Sequence, residues 1–371
     1  MNGKILAIVQ STNFMYGAGR SFQNTMNNLD VPFDLIVPKP LFGKIDIEKI
    51  KEKFGENLGE IYVRRLPYKR CFYGRRSIRW KGHIYISICN LLYYLTNRPL
   101  RKEFGNKYDT IYLNSIVLYP LINLFPNTVI HVRERIEGSV QSKEAIRRSL
   151  NKAREVVSIS LDVQEELDKI GIEGEVLNNP FNMEAVCNVD IDIVKKEYGI
   201  EDEFVFAILG KVYKNRGVDF VTEAFDELKS DKAKLIIAGD LDTDIGPYIK
   251  DVAKKNKNII LAGEVEDVEK IYAISDCIVR GEDKLSVGRT VYEGLYSGCS
   301  VLLPSAEGQD STSIIDGDMF SDKIHFYTQR NKTALKKVML KLIKTNKKRD
   351  KIGMSNVMQY IEAFKKILER V

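Results

Sequence analysis

Residues 280–304 read RGEDKLSVGRTVYEGLYSGCSVLLP. They continue an apolar run, "DCIV", and end in a second one, with a charged loop, a Gly-Arg-Thr turn and a helical stretch in between. Strand, glycine-bearing turn, amphipathic helix, second glycine turn and strand make one βαβ unit, whose strands are parallel and whose crossover is right-handed. A plain crossover produces this order. An anion site does too, because the first amides of a helix lack intrahelical partners and the helix dipole favours negative charge there.

The same alternation extends in both directions. Upstream it begins with "KILAIVQ", "FDLIVP", "TIYLN", "TVIHVR" and "EVVSIS", separated by amphipathic stretches such as "SFQNTMNNL" and "KEAIRRSLNKA". It restarts after "EVLNNPFNMEAV" with "FVFAILG", "GVDFVTEAFDEL", "AKLIIAGD", "YIKDVAKKN", "NIILAGE" and "DVEKIYAI". Short apolar strands alternating with helices predict parallel sheets covered on both faces. The expectation is two doubly wound, Rossmann-like α/β domains, over residues 1–180 and 181–350. A C-terminal helix over 351–371 follows, and the turn-rich "NNPFN" at 178–182 is the linker.

Bulk properties agree. At 371 residues the chain exceeds what one core usually serves, and 44% hydrophobic with 29% charged residues is ordinary globular composition. The five cysteines are scattered without paired spacing, which argues against disulfides or a zinc knuckle and predicts a cytoplasmic protein. A net charge of +6 does not mark a nucleic-acid binder, and none is expected as a partner. That charge is uneven: no acidic residue lies between Glu60 and Glu103. Arg64, Arg65, Lys69, Arg70, Arg75, Arg76, Arg79 and Lys81 mix there with Tyr68, Phe72, Tyr73 and Trp80. Residues 64–82 are therefore a candidate contact with anionic lipid at the inner face of the cell membrane. The apolar run after them, "HIYISICNLLYYL", falls short of the roughly 20 residues of a membrane span.

Three strand-to-helix turns carry residues suited to chemistry. In "MYGAGRSF", Gly17 and Gly19 let backbone amides approach an anion, but Phe22 stands where a dinucleotide fingerprint needs a third glycine. In "LGKVYKNRGVDF", Lys211 and Arg216 flank a loop ending at Gly217, at the carboxyl end of a strand. In the opening stretch, Gly288, Arg289 and Thr290 start a helix whose first turns hold Glu293. Each has a plain structural reading as a tight turn, surface cations or a helix cap. His131 ends a first-domain strand facing the expected cleft, although a lone histidine is more often packed. The carboxylates of "DLDTD" (240–244) and "DGD" (316–318) read as solvated turns, so no metal site is expected.

Taken together these segments resemble the retaining GT-B glycosyltransferases of family four, glycosyltransferases group 1, which build bacterial polysaccharides. "YGAGRS" is similar to the family's N-terminal glycine loop, and "VVSISLDVQEELDKIGIEGEVLNNPFN" to its serine strand and hinge. "LGKVYKNRGVDFVTEAF" is similar to its diphosphate loop, and "GRTVYEGLYSGCSVLLP" to its donor helix. The resemblance implies two Rossmann-like domains facing across a cleft, with the C-terminal helix returning to the first. It implies a nucleotide-diphosphate sugar as donor substrate, a glycan or polyprenyl-linked acceptor, and no cofactor or metal. Carried over residue by residue, Lys211 and Arg216, with Gly210 beside them, stand where the family holds the diphosphate, with Lys and Arg exchanged. Gly17 matches the approaching loop, and Gly288, Arg289 and Thr290 match the helix start. Glu293 matches the ribose-binding carboxylate, and Gly263, Glu264 and Val265 the segment near the base. His131 matches a histidine by the reacting sugar.

The departure is Leu285, eight residues before Glu293, where the family places a glutamate that contacts donor hydroxyls. Glu282 and Asp283 are the nearby carboxylates able to replace it. The implied reaction is retaining sugar transfer in surface polysaccharide synthesis, with catalytic charge from His131, Lys211 and Arg216. Two other readings stand beside it: a degenerate, non-catalytic partner subunit, and a nucleotide-sugar epimerase on the same fold.

Overall fold

The computed structural model describes residues 4–14, 17–40, 43–66, 72, 91, 95, 98–285, 287–306, 309–345 and 352–370. In chain order the first part forms β1 (Ile5–Ile8), α1 (Gly17–Asn28), β2 (Phe33–Pro38), α2 (Ile47–Lys51), β3 (Leu58–Arg64), β4 (Thr110–Leu113), β5 (Thr128–Val132), α3 (Lys143–Leu150), β6 (Glu155–Ser158), α4 (Leu161–Asp168) and β7 (Glu175–Val176). The strands make one parallel sheet of order β3-β2-β1-β4-β5-β6-β7. Its interior strands β1, β4 and β5 are buried along their whole length, as expected of a sheet covered on both faces.

The second part forms α5 (Ile191–Glu197), β8 (Phe204–Leu209), α6 (Val218–Asp226), β9 (Ala233–Ala238), α7 (Gly246–Lys255), β10 (Ile259–Gly263), α8 (Val268–Ile274), β11 (Cys277–Val279), α9 (Arg289–Tyr296), β12 (Ser300–Ser305), β13 (Ile324–Thr328) and α10 (Lys332–Thr345). Its parallel sheet has the order β10-β9-β8-β11-β12-β13. The opening stretch is thus β11, loop, α9 and β12, with β11 and β12 paired in parallel.

Two units result. One comprises Met1–Pro180 and Val357–Val371, the other Phe181–Asn356. The last helix, α11 (Val357–Glu369), buries Tyr360, Ile361, Phe364, Ile367 and Leu368 in the apolar cluster of the first unit, alongside Phe22 and Met26 of α1. Residues 352–356 stay with the second unit because they pair with the start of its chain. Asn182 bridges Ser355, Met183 N donates to Met354 O at 2.9 Å, and Phe181 N donates to Asn356 Oδ1 at 2.7 Å. No described helix is long and apolar enough to cross a membrane.

Candidate functional site

In an open parallel sheet, ligands bind outside the carboxyl ends of the strands where the winding direction reverses. In the second unit that point lies between β8 and β11. Two glycines bring the loops after these strands together. Gly217 adopts a left-handed backbone (φ 62°), and a Cβ on it would lie 1.8 Å from Gly281 O. A Cβ on Gly281 would lie 2.2 Å from Gly217 O, so neither position admits a side chain without moving backbone. Their neighbours, Arg216 and Glu282, consequently meet: Arg216 Nη1 is 3.4 Å from Glu282 Oε1.

Behind this contact sits Arg280, which the sequence reading did not single out. It is the residue after β11 and is almost wholly buried. Its Nε lies 3.1 Å from both oxygens of Glu282, its Nη2 also bonds Oε1, and its Nη1 donates to Thr290 Oγ1 at 2.7 Å. Its carbonyl accepts from the Tyr327 hydroxyl at 2.8 Å, which ties the residue to β13. A Cβ on Gly288 would meet Arg280 Nη1 at 3.4 Å, an ordinary contact, so the guanidinium lies directly against the start of α9. Arg216, Glu282, Gly288 and Thr290, predicted from separate motifs, therefore form one cluster around an unanticipated arginine. The only hint in the sequence was an Arg-x-Glu pattern closing an apolar strand.

Lys211 lies at the end of β8, exposed, with Nζ 5.9 Å from the centre of the Tyr213 ring, and it makes no ion pair with the described residues. Gly210 has φ 107° and lies against Gly239, whose Cβ would stand 1.9 Å from Gly210 O. Gly263 (φ 68°) ends β10 and accepts from Gly239 N at 2.7 Å, so the loops after β8, β9 and β10 are tied in sequence. Glu264 beside it is exposed, and Val265 packs on the apolar cluster of the unit.

Glu293 is buried and engaged from both sides. Its Oε2 accepts from Tyr272 Oη and its Oε1 from Arg289 Nη2, each at 2.9 Å. Burial, then the Glu293 carboxylate, pushes the Tyr272 phenol well up, so it stays a donor. The Arg289 guanidinium lies over the Phe181 ring at 5.0 Å and is thereby turned toward Glu293. Arg289 can serve an anion at the start of α9 through its backbone, not through this side chain.

The loop holding Leu285 separates the two proposed replacement carboxylates. Asp283 is exposed and pairs outward with Arg330 at 2.7 Å, whereas Glu282 is buried in the Arg280 cluster. Leu285 packs against the apolar cluster of the unit.

In the first unit the reversal falls between β1 and β4. Gly17 opens α1 with φ 54°, and Asn114 Nδ2, just past β4, donates to Ala18 O at 3.1 Å, which holds this helix start. A Cβ on Gly19 would lie 1.9 Å from Asn13 O, so the loop folds tightly onto the helix.

His131 requires a correction. It was expected to face a reacting sugar, but the ring has no exposed surface and sits in the core with Tyr112 and Phe364 as ring neighbours. The cause lies far along the chain: α11 packs over this end of the sheet. Burial, then the Arg133 charge, holds the His131 pKa well below its usual value. Arg133 Nη2 lies 3.2 Å from His131 Nδ1, and since guanidinium only donates, Nδ1 accepts and the ring proton sits on Nε2. Arg133 itself is buried and donates to Asn114 Oδ1 and Asn179 Oδ1, both at 2.6 Å, and to Tyr112 Oη at 3.2 Å.

Most of the basic, aromatic stretch at 64–82 lies outside the described residues. Of it, Arg64 pairs with Glu103 at 2.5 Å, and Phe72 is buried. Among the described residues no group of three or more His, Cys, Asp or Glu side chains could hold a metal ion.

Residues 190–369 match the family described as glycosyl transferases group 1. Three solved structures illustrate the fold shared by the whole chain. HepE of Anabaena in complex with UDP and glucose aligns with TM-score 0.68 and 15% identity over 100% of both chains. Sucrose-phosphate synthase of Thermosynechococcus elongatus aligns with TM-score 0.68 and 12% identity, covering 98% of this chain and 96% of its own. WaaG, a glycosyltransferase involved in lipopolysaccharide biosynthesis, aligns with TM-score 0.62 and 13% identity, covering 98% and 94%. No curated protein matches by sequence. The two Rossmann-like domains expected from the resemblance are both observed, and the likeness to these structures shows the GT-B fold.

Proposed function

We propose that this chain, whose residues 190–369 match the group 1 glycosyltransferases, moves a sugar from a nucleoside diphosphate donor to a hydroxyl of a glycan or lipid-linked glycan. In this reading the anomeric configuration is retained and the product belongs to a bacterial surface polysaccharide. The observation that carries it is the cluster at the second-unit reversal point: Arg216 and Lys211 after β8, with Thr290 at the start of α9 held by buried Arg280. HepE, which shares the fold, is seen with UDP and with UDP-glucose, and this supports the nucleotide as ligand.

Breaking the glycosidic bond leaves negative charge on the departing diphosphate. Arg216 and Lys211 supply fixed positive charge, and the first amides of α9 and the Thr290 hydroxyl supply donors aimed where that charge grows. Gly17 and the start of α1, in the first unit, are a further candidate for anion binding by the same chemistry. Glu293, oriented by Tyr272 and Arg289, keeps lone pairs free for the ribose hydroxyls. Gly263, Glu264 and Val265 serve the base. No step is given to a metal, so turnover is expected to persist in excess EDTA. For location we propose the inner face of the membrane, with residues 64–82 as the contact; the support is their sequence, and vesicles of anionic lipid should pellet the protein in a salt-sensitive way.

A thermal-shift screen with nucleoside diphosphates and their sugars tests the reading. The expected result is stabilisation by one of them, with Arg216→Ala weakening that ligand roughly 10- to 100-fold, since hydrogen bonds to charged groups contribute about 1.5–3 kcal/mol. Silence across UDP, GDP, ADP and their glucose derivatives would sink it. Leu285, apolar and packed, favours one second reading: a protein that binds the nucleotide without turning it over. Binding without release of free diphosphate from any nucleotide sugar would select it.

A further inference from the structure

The Arg280 cluster holds one carboxylate between two guanidinium groups, and the two contacts differ in kind. Arg280 is fixed by Glu282, by Thr290 and, through its carbonyl, by Tyr327. The Arg216 side chain is 51% exposed, rides on a single 3-10 turn (Lys214–Arg216), and reaches Glu282 at 3.4 Å. That is long for a charge-assisted hydrogen bond, which is normally about 2.7–2.9 Å. It is the contact in the cluster that an incoming anion can exchange. Thr290 Oγ1 already accepts from Arg280, and no described residue accepts its proton, so the hydroxyl is a donor available to that anion.

We propose that Glu282 competes with the donor's diphosphate for Arg216 and so sets both the affinity of the site and its preference for diphosphate over monophosphate. This rests on the nucleotide-sugar reading above and assigns Glu282 a role other than binding sugar hydroxyls. A ligand wins Arg216 by presenting more negative charge than the carboxylate it displaces, and a nucleoside diphosphate, with a second charged phosphate, does this better than a monophosphate. Arg280 is the positioning residue of the device: its charge neutralises Glu282, and its Nη1 aims the Thr290 hydroxyl.

The test is calorimetric titration at fixed salt with UDP, GDP and ADP, and with the monophosphate of whichever diphosphate binds. Glu282→Gln keeps the shape and an acceptor for Arg280 while removing the competing charge. It should tighten diphosphate binding about three- to tenfold and narrow the ratio between diphosphate and monophosphate, within the usual range of coupling between sites. In an Arg216→Ala background the same substitution should give no gain. Structural damage alone weakens binding, so a gain that requires Arg216 separates the two causes. Should Glu282→Gln not fold, Glu282→Asp retracts the carboxylate from Arg216 while leaving its charge with Arg280, and a gain of about two- to threefold is expected. Unchanged or weaker binding in the folded variant, or an equal gain without Arg216, overturns the proposal while wild-type binding still upholds the functional reading. Absence of wild-type binding to all three diphosphates overturns both.

Discussion

Arg133 and Arg280 each stand immediately after an interior strand, β5 and β11, and both are buried, yet the two units treat them differently. Arg133 is surrounded by neutral acceptors, Asn114, Asn179 and Tyr112, which bind the end of β4, the linker and the core into one piece. Arg280 is matched with a carboxylate, and that carboxylate reaches a second, exposed arginine. The first arrangement spends its cation on internal structure. The second leaves positive charge at the surface, and only the second is built to exchange a partner.

The largest expected effect attacks the matched pair. Arg280→Met leaves buried Glu282 with only its long contact to Arg216 and should cost about 3–5 kcal/mol in urea unfolding, whereas Arg280→Met combined with Glu282→Leu should recover much of the loss. Arg133→Met leaves neutral groups short of a donor but strands no charge, so about 2–3 kcal/mol is expected by the same measurement. A larger loss at Arg133 than at Arg280 would break the contrast.

A third effect is set by pH. The folded state holds His131 neutral with its pKa well below the usual 6.5, so below that value the unfolded chain binds a proton that the folded chain does not. Stability attributable to this ring is therefore complete above the unfolded pKa and falls by about 1.4 kcal/mol per unit as pH drops below ~6. His131→Phe should remove that component, read as the difference between wild-type and variant unfolding curves from pH 7.5 to 5. Last, Asp283→Ala should leave the melting temperature within experimental scatter, because its pair with Arg330 is solvent-exposed. It is the counterpart to Glu282, one residue away.

Much of the architecture was legible because interior parallel strands are continuously apolar. The runs read as β1, β2, β4, β5, β6 and β8 to β12 are all strands of the two sheets. The strands not read, β3, β7 and β13, are all at sheet edges. There the pattern is diluted, as in β3, whose residues are nowhere fully buried, or too short, as in the two-residue β7. The glycine turn after β8 was legible for a related reason: Gly217 is required by backbone approach, although its partner Gly281 was not singled out. Side-chain pairing was not legible. Beyond the Arg-x-Glu spacing, nothing near Arg280 announced that it would turn back onto Glu282 and reach Thr290, ten residues away. His131 was misplaced because its burial depends on Phe364, more than two hundred residues downstream.

The return of α11 to the first unit also bears on the order of assembly during synthesis. Residues up to Pro180 leave the ribosome first, yet the apolar cluster they share with Tyr360, Ile361 and Phe364 cannot close until the whole of Phe181–Asn356 has been made. The second unit is contiguous and can complete itself at once. The part of the protein that is begun first is thus finished last, and until then it carries an uncovered apolar face that a chaperone or a neighbouring nascent chain can reach.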